Sequence, residues 1–159
     1  MAKFGPVAIY RMARYFHRLR IPFVPRTLDY LNRLLFCCWI PHEVDAGVNL
    51  ELGYAGMGIV VHSEATLGKN VHIGQHVTIG GNAREYGVPS IGSDVYIGVG
   101  ACILGPVTIG SGAIIGAHAL VLTDIPSNSV AIGLPARVVK SNIDPSQYLY
   151  HLRVSGQER

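Results

Sequence analysis

The chain has 159 residues, and that length gives room for one domain. Its 49% hydrophobic against 14% charged residues, with a mean hydropathy of +0.32, exclude a disordered linker, which needs little apolar surface and much charge to stay unfolded. Glycine is high at 19 residues, but there is no Gly-X-Y period and there are only 9 prolines, so a collagen helix is excluded as well. The net charge of +3 hides a basic head: residues 1–36 hold Lys3, Arg11, Arg14, Arg18, Arg20, Arg26 and Arg33 against Asp29 alone.

Taken in chain order, residues 5–20 read as a helix in which Val7, Tyr10, Met12, Tyr15, Phe16 and Leu19 alternate with arginines. Pro22 and Pro25 interrupt it. A second helix is expected from Arg26 or Thr27 to about Cys38, with Leu28, Leu31, Leu34 and Leu35 on one face, and Pro41 closes the segment. Cys37 and Cys38 are expected as small buried apolar groups of that helix. Residues 1–40 therefore read as a basic helical segment. It lacks the apolar core of a secretory signal, no apolar run reaches the ~20 residues of a membrane span, and the three cysteines have no framework spacing. The expectation is a cytoplasmic protein, at most peripheral to a membrane.

Beyond Pro41 the sequence becomes periodic. Aliphatic residues stand at Val61, Leu67, Ile73, Ile79, Ile91, Ile97, Ile103, Ile109, Ile115 and Val121, six apart except for one interval of twelve. Glycine follows most of them, and small or β-branched residues precede them by two, as at Val71, Val77, Val95, Val107 and Ala113. A period of six fits short strands wound as a parallel β-helix, with one aliphatic side chain per strand turned to the axis. The glycines are expected where the backbone turns with positive φ or approaches another strand closely. With three hexads per coil, the stretch from Val61 to Ile132 makes about four coils. The interval of twelve, residues 81–90, carries charge, an aromatic and a proline and reads as a loop leaving the coil. The fold class is mainly β: a β-helix over residues 41–140, a helical N-terminus and a tail over 141–159.

The hexads, the run Val77-Thr78-Ile79-Gly80-Gly81, the run from Ile97 to Gly105 and Gly133-Leu134-Pro135-Ala136-Arg137 resemble the left-handed β-helix acyltransferases, nearest to the serine acetyltransferase-like branch. The resemblance covers roughly residues 40–140. It implies left-handed coiling, a homotrimer with sites between neighbouring β-helices, and acetyl-CoA as acyl donor. It also implies a histidine base held by an aspartate, which activates an acceptor hydroxyl that is otherwise a poor nucleophile. By position, Gly81, Val99 and Ala117, with Gly100-Ala101 beside them, are the expected acetyl-CoA contacts.

The family's histidine and aspartate fall here on Tyr54 and Trp39, and a phenol is a weak base at neutral pH, so Tyr54 is expected to orient an acceptor. His62 and His76 are the replacement base candidates. His42 reads as a turn residue, and His72 and His118 as solvent-facing. The family's arginine and histidine in the exit loop are absent ahead of Pro89; Arg84 and Tyr86 are the loop's candidate acceptor contacts. Without a cation at those positions, a neutral sugar or polysaccharide precursor is the first expectation for the acceptor. Serine O-acetylation is one alternative, and a catalytically degenerate binding or scaffold protein is the other. The histidines and cysteines make no metal-ligand spacing, so no metal is expected. The basic first helix, with Phe4, Tyr10, Tyr15 and Phe16, covers the rod end or rests on anionic lipid; without a recognition motif, nucleic acid is not an expected partner.

Overall fold

The computed structural model describes residues 5–149. Helix α1 spans Pro6–Arg18 and helix α2 spans Val24–Phe36; each opens with a proline in its first turn, where a missing N–H costs nothing. Helix α2 therefore starts two residues before the expected Arg26, and Pro25 is an early helical residue and not a breaker. It ends before Cys38, because Cys37 takes the left-handed conformation at φ 51°. Cys38 is buried as expected, whereas Cys37 is exposed.

Every inward position of the hexad pattern from Val61 to Val121 is buried. The chain winds as a left-handed parallel β-helix with three faces, each a stack of short strands, of two or three residues except for the last strand of the second face. One face stacks Asp45–Ala46, Thr66–Leu67, Ser90–Ile91 and Thr108–Ile109. A second contains Glu51–Leu52, His72–Ile73, Tyr96–Ile97, Ile114–Ile115 and Ser129–Gly133. The third stacks Val60–Val61, Thr78–Gly80, Cys102–Leu104 and Leu120–Val121.

The rod begins earlier than the period suggests. Trp39 bridges to Val60 at the end of the third face, and Ile40, Ala46 and Leu52 hold the inward positions of an additional first coil. The spacing from Leu52 to Val61 is nine, because three extra residues enter a 3-10 turn over Gly53–Gly56 in which Tyr54 and Ala55 are left-handed. That insertion hides the first coil from a search for sixes.

The periodic glycines serve close stacking. A Cβ on Gly68 would lie 2.5 Å from the Gly92 carbonyl, and one on Gly98 would lie 2.6 Å from the Ala117 nitrogen. Positive φ falls instead two or three residues after the inward aliphatic, mostly on Asn, Asp and His: Asn70, His76, Asp94, His118 and Asn128. At one end, the strand Ala136–Ser141 folds back antiparallel on Ser129–Gly133 and closes the stack. At the other end, α1 covers first-coil carbonyls that have no coil beyond them. The Tyr10 hydroxyl donates to Val44 O at 2.7 Å, Arg11 to Ala46 O at 2.9 Å and Arg14 to Val44 O at 2.6 Å, while Arg14 also pairs with Asp45.

Candidate active site

His62 follows Val61 at the exit of the third face, an exposed residue whose Nδ1 accepts from the Glu64 N–H at 3.2 Å. That contact places the proton of the neutral ring on Nε2. His62 lines two cavities. One, of about 320 Å³, is bounded by Arg26, Trp39, Glu43, Ser63 and Thr78. The other, of about 250 Å³, lies under the exit loop against Glu64, Gly81, Asn82, Glu85 and Tyr86. The loop is shaped by Asn82, whose Oδ1 accepts from the N–H groups of Arg84 and Glu85, both at 2.8 Å. Tyr86, 95% exposed, borders the loop cavity, and Arg84 is exposed outside the linings of both cavities.

The remaining sequence candidates lie on the opposite edge of the same face, where the chain enters it. Tyr54 is 78% exposed in its left-handed turn. His76 is an exposed corner residue at φ 59°, its ring stacked where a Cβ on Gly58 would fall; His118 stands in the same relation to Gly100. Val99 and Gly100 are half-buried and Ala117 is exposed at the same corner, whereas the Ala101 side chain is fully buried in the core. One chain thus holds two clusters, His62 with Gly81 and the loop, and Tyr54 with His76 and the stacked corner, on either side of one strand stack.

Helix packing contributes groups that spacing along the chain does not reveal. Arg26 reaches Glu43 Oε1 at 3.3 Å inside the first cavity, so a cation and a carboxylate stand together near His62. Behind them, His42 is buried and not a free turn residue: its Nδ1 lies 2.6 Å from Asp29 Oδ2, and its backbone N–H donates to Asp29 Oδ1 at 3.1 Å. Burial raises the Asp29 carboxyl above the usual carboxylate range, although the His42 hydrogen bond opposes the shift. Asp29, His42 and Glu43 bring three ligand-type atoms within 4.8 Å, but binding a metal there would require breaking the Asp29–His42 hydrogen bond. Trp39, expected at the family's aspartate position, packs against Tyr30 at 5.8 Å and Arg33 at 5.6 Å. His72 is half-buried, stacked on Tyr96 at 5.0 Å.

An acetyl-CoA arm needs open backbone beside the reacting groups. A Cβ on Gly80 would meet nothing within 4 Å and one on Gly81 only the Gly87 carbonyl, so the backbone next to His62 has such room.

Residues 89–123 match the family model described as bacterial transferase hexapeptide (six repeats). The chain is 35% identical over 138 residues to a serine acetyltransferase of Synechococcus elongatus, covering 86% of this chain and 56% of that protein. It is 36% identical over 135 residues to one from Bacillus pumilus, covering 84% and 62%. Among solved structures, soybean serine acetyltransferase complexed with serine superposes with a TM-score of 0.78 at 36% identity, over 84% of this chain and 56% of that one. Neisseria gonorrhoeae serine acetyltransferase gives a TM-score of 0.80 at 31% identity, over 89% and 55%. The chain spans little more than half the length of most of these relatives. Their shared description overturns the expectation of a sugar or polysaccharide precursor as acceptor and favours the amino-acid alternative. The exit loop carries no cation directly ahead of Pro89, whereas α2 brings Arg26 to the cavity beside His62.

Proposed function

We propose, for a chain that belongs to the hexapeptide-repeat, left-handed β-helix family on its serine acetyltransferase-like branch, an acetyl-CoA-dependent O-acetyltransferase activity on the hydroxyl of serine or a closely similar amino acid. The observation that carries this reading is the position of His62, between a cavity holding Arg26 and Glu43 and the open Gly80-Gly81 backbone. A zwitterionic acceptor finds a partner for its carboxylate in Arg26 and for its ammonium in Glu43. Its hydroxyl then faces His62. Acetyl-CoA supplies an activated thioester when bound. His62 releases the Glu64 contact, takes the hydroxyl proton on Nδ1 as the new ester bond forms and the C–S bond breaks, and passes that proton to the leaving sulfur. The Glu64 contact is an exposed hydrogen bond worth about 1 kcal/mol, small beside the gain from general-base catalysis.

A homotrimer completes the site in this proposal. The third face turns Val60, Thr78, Cys102 and Leu120 outward, with Leu122 46% exposed beyond them, and is more apolar than the first face, which turns out Asp45, Thr66, Ser90 and Thr108. The apolar face is the better one to bury. Packing it against a neighbour sets the loop edge of one chain near the corner edge of the next, so that His62 and Gly81 meet Tyr54, His76, Val99, Gly100 and Ala117 across the interface.

Thiol release from acetyl-CoA with L-serine tests the reading, with ethanolamine and 3-hydroxypropionate as acceptors lacking one charge. Turnover of L-serine above both is expected. Acetyl-CoA binding with no turnover of any hydroxyl acceptor overturns it and leaves a binding subunit, an outcome consistent with Tyr54 standing in the family's histidine position.

A further inference from the structure

Helix α2 is built inside out. Its inward side buries Pro25, Asp29 and Asn32, with Asp29 on His42 and Asn32 Nδ2 donating to Pro6 O at 3.2 Å. Its outward side and the turn leading into it present Phe23 at 84% exposure, Leu34 at 79% and Tyr30 at 57%, together with Leu19, Ile21, Leu31 and Leu35. In water this arrangement wastes large apolar groups that could have been buried, so the exposed side marks a surface that meets something.

The charge around it identifies the occupant. No Asp or Glu occurs before Asp29, which is itself buried; Arg18, Arg20 and Arg33 are exposed alongside the apolar groups, while Arg26 is turned to Glu43. Arg11 and Arg14 of α1 are already committed to first-coil carbonyls and Tyr10 is buried, so this surface centres on α2 and the turn before it, with only the end of α1 at its border, while Phe4 lies outside the described residues. A two-fold contact between copies through this face would set arginines against arginines. An anionic bilayer satisfies both features, with the aromatic and leucine side chains in the acyl boundary and the guanidinium groups at the headgroups. No described helix is long and apolar enough to cross a membrane, so the geometry is that of a helix lying in the interface. We infer that the outward face of α2, with the Arg18–Phe23 turn, is a docking surface for anionic lipid that holds the rod against a membrane.

Co-flotation with vesicles of phosphatidylcholine, and of phosphatidylcholine mixed with phosphatidylglycerol, tests this on the full chain. Binding to the mixed vesicles that weakens as salt rises is expected, with little binding to phosphatidylcholine alone. The pair Phe23→Glu and Leu34→Glu should abolish it, and the pair Arg18→Gln and Arg20→Gln should weaken it about tenfold. All four positions are exposed, and circular dichroism with thermal melting confirms that the variants fold. No flotation, or flotation indifferent to both pairs, overturns the inference. So does a change of oligomeric mass in the Phe23/Leu34 pair, which would make the face a contact between copies.

Discussion

Asp29 and His42 form a buried pair in which one carboxylate engages both the imidazole and the backbone N–H of the same residue, at 2.6 and 3.1 Å. The pair ties α2 to the first coil. Removing one member leaves the other buried without its partner, which costs about 3–5 kcal/mol. Asp29→Ala is therefore expected to lower the urea midpoint strongly, and the double variant with His42→Ala to lose less than the sum of the two singles. Additive effects in that cycle would show that the contact does not anchor the helix.

Burial also separates two adjacent thiols. Cys38 is pushed up to about 12 from 9.0 by desolvation, while Cys37 is exposed. Maleimide at neutral pH should label Cys37 quickly and Cys38 only after unfolding, as read by peptide mass. The folded chain holds the Cys38 proton more tightly than the unfolded one. This contribution to stability is thus full below pH 9.0 and lost as pH rises toward about 12. Cys38→Ala should flatten the fall in stability across that window.

His62→Gln should reduce kcat about 10²-fold or more, the usual loss with a general base, with a smaller change in the KM for acetyl-CoA. His76→Asn keeps a residue tolerant of its left-handed backbone, so its effect on rate reports the ring itself and not the corner. Equal rates in wild type and the His62 variant would remove that residue as base.

Arg26→Gln should raise the KM for L-serine about tenfold or more by removing the carboxylate partner, and should leave turnover of ethanolamine nearly unchanged. A parallel loss with both acceptors would instead indicate damage to α2, whose anchoring is reported separately by thermal melting.

Leu120→Arg, on the apolar outward face, should convert a species with the mass of three chains into one with the mass of a single chain, read by light scattering after gel filtration. Acetyl transfer should be lost with it, because the proposed site joins two edges that one chain keeps apart.

Much of the rod was legible, because burying one side chain per strand leaves a period of six that no helix or ordinary sheet produces. The exit loop appeared as the break in that period, and Asn82 and Gly87 supply its turns. The first coil lies inside the expected bounds of 41–140 but outside the period, since the insertion at Tyr54 spoils the count and Ala46 is a weak hydrophobic signal. Arg26 and Glu43 escaped for another reason: seventeen residues separate them, and only the docking of α2 on the rod brings them together. The orientation of α2 was likewise hidden, because its leucine side looks like a core-facing stripe until Asp29 and Asn32 are seen on the inside.

By itself, then, the sequence determined the coil, because local periodicity and the glycine spacing act between residues that are neighbours on the winding path. The surroundings of His62, the side of α2 that meets the rod and the separation of the two site clusters were decided by tertiary structure. They depend on contacts between segments whose side chains carry no common period, so only packing assigns their partners.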